Sequence, residues 1–202
     1  SKVQASVSKS AADALDTVDP AKEKNTATIN STVAKDKEIS YSVTTLDKNG
    51  NTTTTSITLI ANGTGAKFQD KDGNEYGDNL AGDTSTADET AKALADALSQ
   101  TDLGKTYNIT AGTGSIAFEA KEGGETAQVA LTSVSVNGAA ATTAATTRNA
   151  TGADAYPKLD VTNIKAYNGT GNIEDNIFTV NGEKFAFVTD STLLGDDYKD
   201  VN

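Results

Sequence analysis

The chain has 202 residues, enough for one or two domains with a core, and carries 28 acidic against 17 basic residues for a net charge of −11. Its one arginine, Arg148, and an acidic excess spread through both halves exclude the clustered Lys and Arg that nucleic-acid or anionic-membrane contacts need. Cys, His, Met and Trp are absent, which removes thiolate nucleophiles, imidazole bases, zinc fingers and disulfide staples together. Thr supplies 31 residues and aromatics only 5%, a composition that suits antiparallel strands with one wet face.

Residues 1–21 read as a lead-in segment. Val7, Ala11, Leu15 and Val18 fall at helical spacing and Asp19-Pro20 stops what precedes it, so a short helix or a frayed lead-in is expected. Residues 22–138 read as a β-rich domain with one helix. Two near-identical pentapeptides, DKNGN at Asp47–Asn51 and DKDGN at Asp70–Asn74, lie between alternating segments. A three-residue loop at Lys48, Asn49 and Gly50 sets Ile39 opposite Leu59 and Tyr41 opposite Ile57, keeping the apolar face whole. It also puts Gly50 where a left-handed residue is required. The same geometry at Lys71, Asp72 and Gly73 sets Phe68 opposite Tyr76. A helix-loop-helix calcium site instead needs Gly sixth and Glu twelfth, whereas here Gly is fourth and the twelfth residues are Thr58 and Ala81. Turns are therefore expected, with a loose cluster at Asp70, Asp72, Glu75 and Asp78 as the remaining metal candidate.

Thr86 to Ser99 reads as a packing helix. Thr86 with Glu89 forms a capping box, and Ala87, Ala91, Leu94 and Leu98 form a narrow apolar stripe. Strands resume at KTYNITA and SIAFEA. In AQVALTSVSV the apolar residues change parity, from Val129 and Leu131 to Val134 and Val136, which predicts a β-bulge or a strand changing faces near Thr132-Ser133. Residues 139–153, rich in Ala and Thr with no larger apolar anchor, read as a linker or surface loop. Residues 154–202 read as a second β-rich lobe, its final hairpin pairing back with residues 26–60. That hairpin turns at Asn181-Gly182, sets Phe178 opposite Phe185, and is expected to anchor a core. The fold class is thus mainly β (α+β), with antiparallel hairpins in two lobes and one helix.

Chemistry is scarce. Gly-rich stretches at Asn62 and Ala111 lack the Lys and strand-to-helix context of a phosphate loop, and G-x-S-x-G is missing. Carboxylates abound, but no motif singles out a catalytic pair. Sequons at Asn30, Asn51, Asn108 and Asn168 are compatible with chance in a chain this rich in Asn and Thr. No catalytic, cofactor-binding or metal-ligating residue is assigned, no cofactor is expected, and a non-enzymatic protein is the reading.

Two stretches carry a resemblance. DETAKALADALSQTDLGKTYNITAGTGSIAFEAKEGGETA resembles a helix-then-strands unit in the variable middle of bacterial flagellins, and NIFTVNGEKFAFV resembles a flagellin strand-turn-strand. The long terminal polymerisation helices of that family are not in this chain, so the resemblance implies a solvent-facing outer part of a filament subunit, cut from a longer protein. It implies an extracellular, flagellar, antigenic display role. The partners it implies are neighbouring subunits, reached through parts absent here, and antibodies or host surfaces. The fragment alone is expected to be monomeric, with Ser1 and Asn202 close together. The alternatives are a phage-tail or adhesin-type binding module, or a calcium-stabilised surface-layer domain.

Overall fold

The computed structural model describes residues 5–7, 15–141, 145–159, 166–180 and 182–196. Its elements in chain order are β1 (Ala5–Val7), β2 (Leu15–Val18), β3 (Lys24–Thr28), β4 (Glu38–Leu46), β5 (Thr52–Ala61), β6 (Phe68–Gln69) and β7 (Glu75–Tyr76). Then come α1 (Ala87–Ser99), α2 (Leu103–Thr106), β8 (Tyr107–Gly112), β9 (Ser115–Ala120), β10 (Gln128–Val136), β11 (Ala139–Ala140), β12 (Ala145–Ala150), β13 (Tyr156–Leu159), β14 (Ile177–Val180) and β15 (Glu183–Ala186). All strand pairs are antiparallel and α1 is the only long helix among the described residues, a mainly β protein as the alternation implied. The chain divides into two compact units, Pro20–Asp154 and a discontinuous one made of Ser1–Asp19 with Ala155–Asn202.

In Pro20–Asp154, one sheet has the order β11-β10-β4-β5-β6-β7 and the other β12-β3-β9-β8. β4 alternates strictly, burying Ile39, Tyr41 and Val43 and turning Ser40, Ser42 and Thr44 outward, while β9 buries Ile116, Phe118 and Ala120. Both hairpin registers match the expected ones: Ile39 pairs with Leu59, Tyr41 with Ile57 and Phe68 with Tyr76. Helix α1 has the expected cap. The Thr86 hydroxyl accepts from the Glu89 amide at 3.1 Å, and the Glu89 carboxylate accepts from the Thr86 amide at 2.7 Å. The helix packs on β8 and β9 of one sheet and on β5 and β7 of the other. Hence Ala93, Ala95 and Ala97 are buried along with the expected Ala91, Leu94 and Leu98, and the buried face is wider than a stripe. Away from the helix the sheets meet at β10 and β12, where the Thr146 hydroxyl donates to the Ala130 carbonyl.

Four expectations are corrected. Residues 15–18 form a strand paired with β13, and residues 5–7 a strand paired with β14, where the spacing predicts a short helix or a frayed lead-in. Residues 139–153 carry β11 and β12, and β12 closes a sheet edge against β3, so they are not a linker. The β14–β15 hairpin pairs with β1, not with residues 26–60. The register shift in β10 falls between Val129 and Leu131, upstream of Thr132-Ser133, and leaves Leu131 64% exposed while Thr132 turns inward. In the discontinuous unit Phe178 pairs with Phe185 as expected and stacks on Phe185 and Phe187 at 5.5 and 5.1 Å. These rings are only half-buried, and Ile173 and Ile177 are the deeper residues. Asn181 and the two chain ends lie outside the described residues.

Tyr41 is fully buried, and burial pushes its hydroxyl pKa above the usual 10. Thr132, one step diagonally across on β10, faces that hydroxyl without a hydrogen bond of acceptable geometry, so both groups are buried and unpartnered. Desolvating a hydroxyl without a partner is costly. Tyr41→Phe is therefore expected to stabilise the protein by about 1 kcal/mol, seen as a higher midpoint in thermal or urea unfolding. A lower midpoint would show that the hydroxyl is bonded inside the core.

Candidate functional site

The two Asx-rich turns are built alike. Gly50 and Gly73 sit at φ of +82° and +85°, the left-handed conformation their loop position requires. Asp47 accepts the Asn49 and Asn51 amides at 2.9 and 2.8 Å with one oxygen and the Asn51 side chain at 2.9 Å with the other. Asp70 repeats this with Asp72 and Asn74, and its second oxygen also accepts the Tyr76 hydroxyl at 3.1 Å. The side-chain bond from Asn51, then its amide, holds Asp47 below the usual 3.8, and the Asn74 side chain acts likewise on Asp70. Each carboxylate is thus directed into its own loop. Of the candidate cluster, Asp70 is spent in this way, and among the described residues no three acidic side chains are grouped to hold a metal ion.

The outer face of the larger sheet is lined with hydroxyls. Ser40 bonds Thr58, Ser42 bonds Ser56 and Thr44 bonds Thr54, at 2.8–2.9 Å, all exposed. Ser133 and Ser135 continue two of these rows on β10. Cross-strand hydroxyl pairs stabilise a sheet face without making it apolar.

Sequence reasoning missed a fully buried carboxylate with four hydrogen bonds. Glu23, fully buried, accepts from Arg148 Nε at 2.9 Å and Nη2 at 2.8 Å, from the Asn25 side chain at 3.0 Å and from the Gly152 amide at 2.8 Å. Burial pushes its carboxyl up, but the Arg148, Gly152 and Asn25 hydrogen bonds outweigh that, and the net result lies below the usual 4.5. The Tyr107 hydroxyl, pushed up to about 12 by burial and then by the Glu23 charge, stays protonated. A fully paired carboxylate of this kind is a clasp between β3 and β12 rather than a proton acceptor. The signal was the chain's one arginine inside an Ala/Thr run.

A polar groove of about 550 Å³ lies between the second Asx turn and the last turns of α1, lined by Asn74, Glu75, Tyr76, Asp96, Ser99 and Gln100. Among the described residues no helix is long and apolar enough to cross a membrane. No protein-family model, curated protein or solved structure matches this chain.

Proposed function

We propose that this chain is the surface-exposed, non-catalytic outer region of a bacterial flagellin-type filament subunit, displayed to solvent and antigenic. The observation that carries the reading is the chain order of the two units. β1 pairs with β14 and β2 with β13, so the first and last segments form one unit, and Pro20–Asp154 is inserted between them. A unit whose sequence is continuous and is enclosed by two segments that pair with each other has the chain order of an insertion. The evenly acidic composition and the hydroxyl-covered sheet face suit a surface that stays in water and resists association. The flagellin-like stretches at Asp88–Ala127 and Asn176–Val188 agree with this reading.

The test is immunogold labelling with antibodies raised against the whole chain, on cells that carry the gene. Uniform labelling along sheared flagellar filaments is expected. Gold confined to virions, to a surface layer or to the cell body overturns the proposal.

A further inference from the structure

The groove beside the second Asx turn has properties that the display role does not use. Its walls are held in place before any ligand arrives. A Cβ at Gly77 would lie 3.0 Å from the backbone of Ala93, so the strand end and α1 touch without an intervening side chain. The Gly77 amide donates to Asp96 at 3.0 Å, and Asp70 fixes both the Tyr76 hydroxyl and the Asn74 side chain. Preorganised walls reduce the ordering cost of binding.

The lining decides the ligand's chemistry. The groove, about 550 Å³, is shallow and open to solvent, and polar groups dominate its lining. An apolar ligand would strip water from carboxylates and amides without replacing their hydrogen bonds, which is unfavourable. Glu75 and Asp96 repel anions, and Lys92 is already paired with Asp96 at 3.6 Å, so phosphates and acidic sugars are disfavoured. The planar carboxylates and amides of Asn74, Glu75, Asp96 and Gln100 suit neighbouring hydroxyls that both donate and accept. We propose that this groove binds a saccharide that is neutral or carries an amino group. The proposal holds whether or not the chain belongs to a filament.

The experiment uses the full, isotope-labelled chain. A printed panel of neutral, amino-bearing and acidic glycans is screened, and the tightest binder is titrated by NMR. Binding to a neutral or amino-bearing glycan is expected, with amide shifts concentrated at Asn74, Glu75, Tyr76 and Gln100. Glu75→Lys and Gln100→Ala, both at exposed positions, are each expected to weaken binding by about tenfold, equivalent to about 1.4 kcal/mol, with unchanged thermal melts. Asn49→Ala, on the other turn, is expected to change nothing. The proposal is overturned if no panel glycan binds, if the preferred glycan is acidic, or if both groove variants bind like the parent. Filament labelling is read separately, so failure here leaves the display reading to its own test.

Discussion

Arg148→Ala is expected to lower the stability of the Pro20–Asp154 unit by about 2 kcal/mol, less than the loss of one partner of a fully buried ion pair because the Arg148 side chain is partly in water. A loss of that size lowers the melting temperature by roughly 6 °C in a protein of this length. Glu23 is inaccessible to solvent, and without the guanidinium only the Asn25 side chain and the Gly152 amide would hold its charge. The pH dependence identifies the cause. In the parent the folded-state pKa of Glu23 lies below 4.5, so its contribution is complete above that value and drains away as pH falls through the lowered pKa. In Arg148→Ala burial becomes the dominant influence and the folded-state pKa rises above 4.5. The penalty is then full at neutral pH and is relieved on acidification as Glu23 takes up a proton. The gap between parent and variant should therefore narrow as pH falls. Glu23→Gln removes the titration altogether and leaves Arg148, whose side chain is 38% exposed, partly solvated, so its deficit should be smaller. Melting temperatures of the three proteins across the acid range provide the check. A gap that stays constant with pH would mean that Arg148 acts through packing alone.

Phe118→Ala is expected to cost about 4 kcal/mol, the range for deleting a buried aromatic ring. Phe118 is 1% exposed on β9, its neighbours Ile116 and Ala120 on that face are buried as well, and it meets Tyr107 edge-on at 6.2 Å and 89°. Tyr107 is held in place by its own burial and by β8, against which α1 packs, so the cavity cannot readily collapse. Leu131→Thr gives the contrast. Leu131 is also apolar and in a long strand, but the bulge turns it 64% out to solvent, and the change should stay within about 0.5 kcal/mol. Urea unfolding of the two variants separates them. Similar costs would mean that the bulge is wrongly placed and Leu131 points inward.

The features legible in the sequence were those that local chemistry dictates. Gly50 and Gly73 leave little choice of loop geometry, and with the loop fixed the alternation of Ile39, Tyr41 and Val43 fixes the register. The Thr86–Glu89 box marks the start of α1 in the same way. Features decided by distant partners were not legible. Leu15 and Val18 match a helix in spacing, and only β13, about 140 residues later, makes them a strand. β12 has no large apolar residue, and what ties it down is the half-exposed Arg148, a residue type that reads as free in solvent until buried Glu23 is seen to accept from it. The groove is equally hidden. Asn74, Glu75 and Tyr76 read as turn and edge strand, and Asp96, Ser99 and Gln100 as a wet helix end; only the approach of Gly77 to Ala93 brings them together.

The insertion of one unit into the other sets an order of events during synthesis. Every pairing inside Pro20–Asp154 is complete once residue 154 has emerged, whereas Ala5–Val7 must wait for Ile177–Val180, some 170 residues downstream. The strands at Ala5–Val7 and Leu15–Val18 therefore leave the ribosome with their edges unmatched, and the inserted unit folds ahead of the unit that encloses it in sequence. Any arrest of translation between those points leaves one unit folded and the other without its second half.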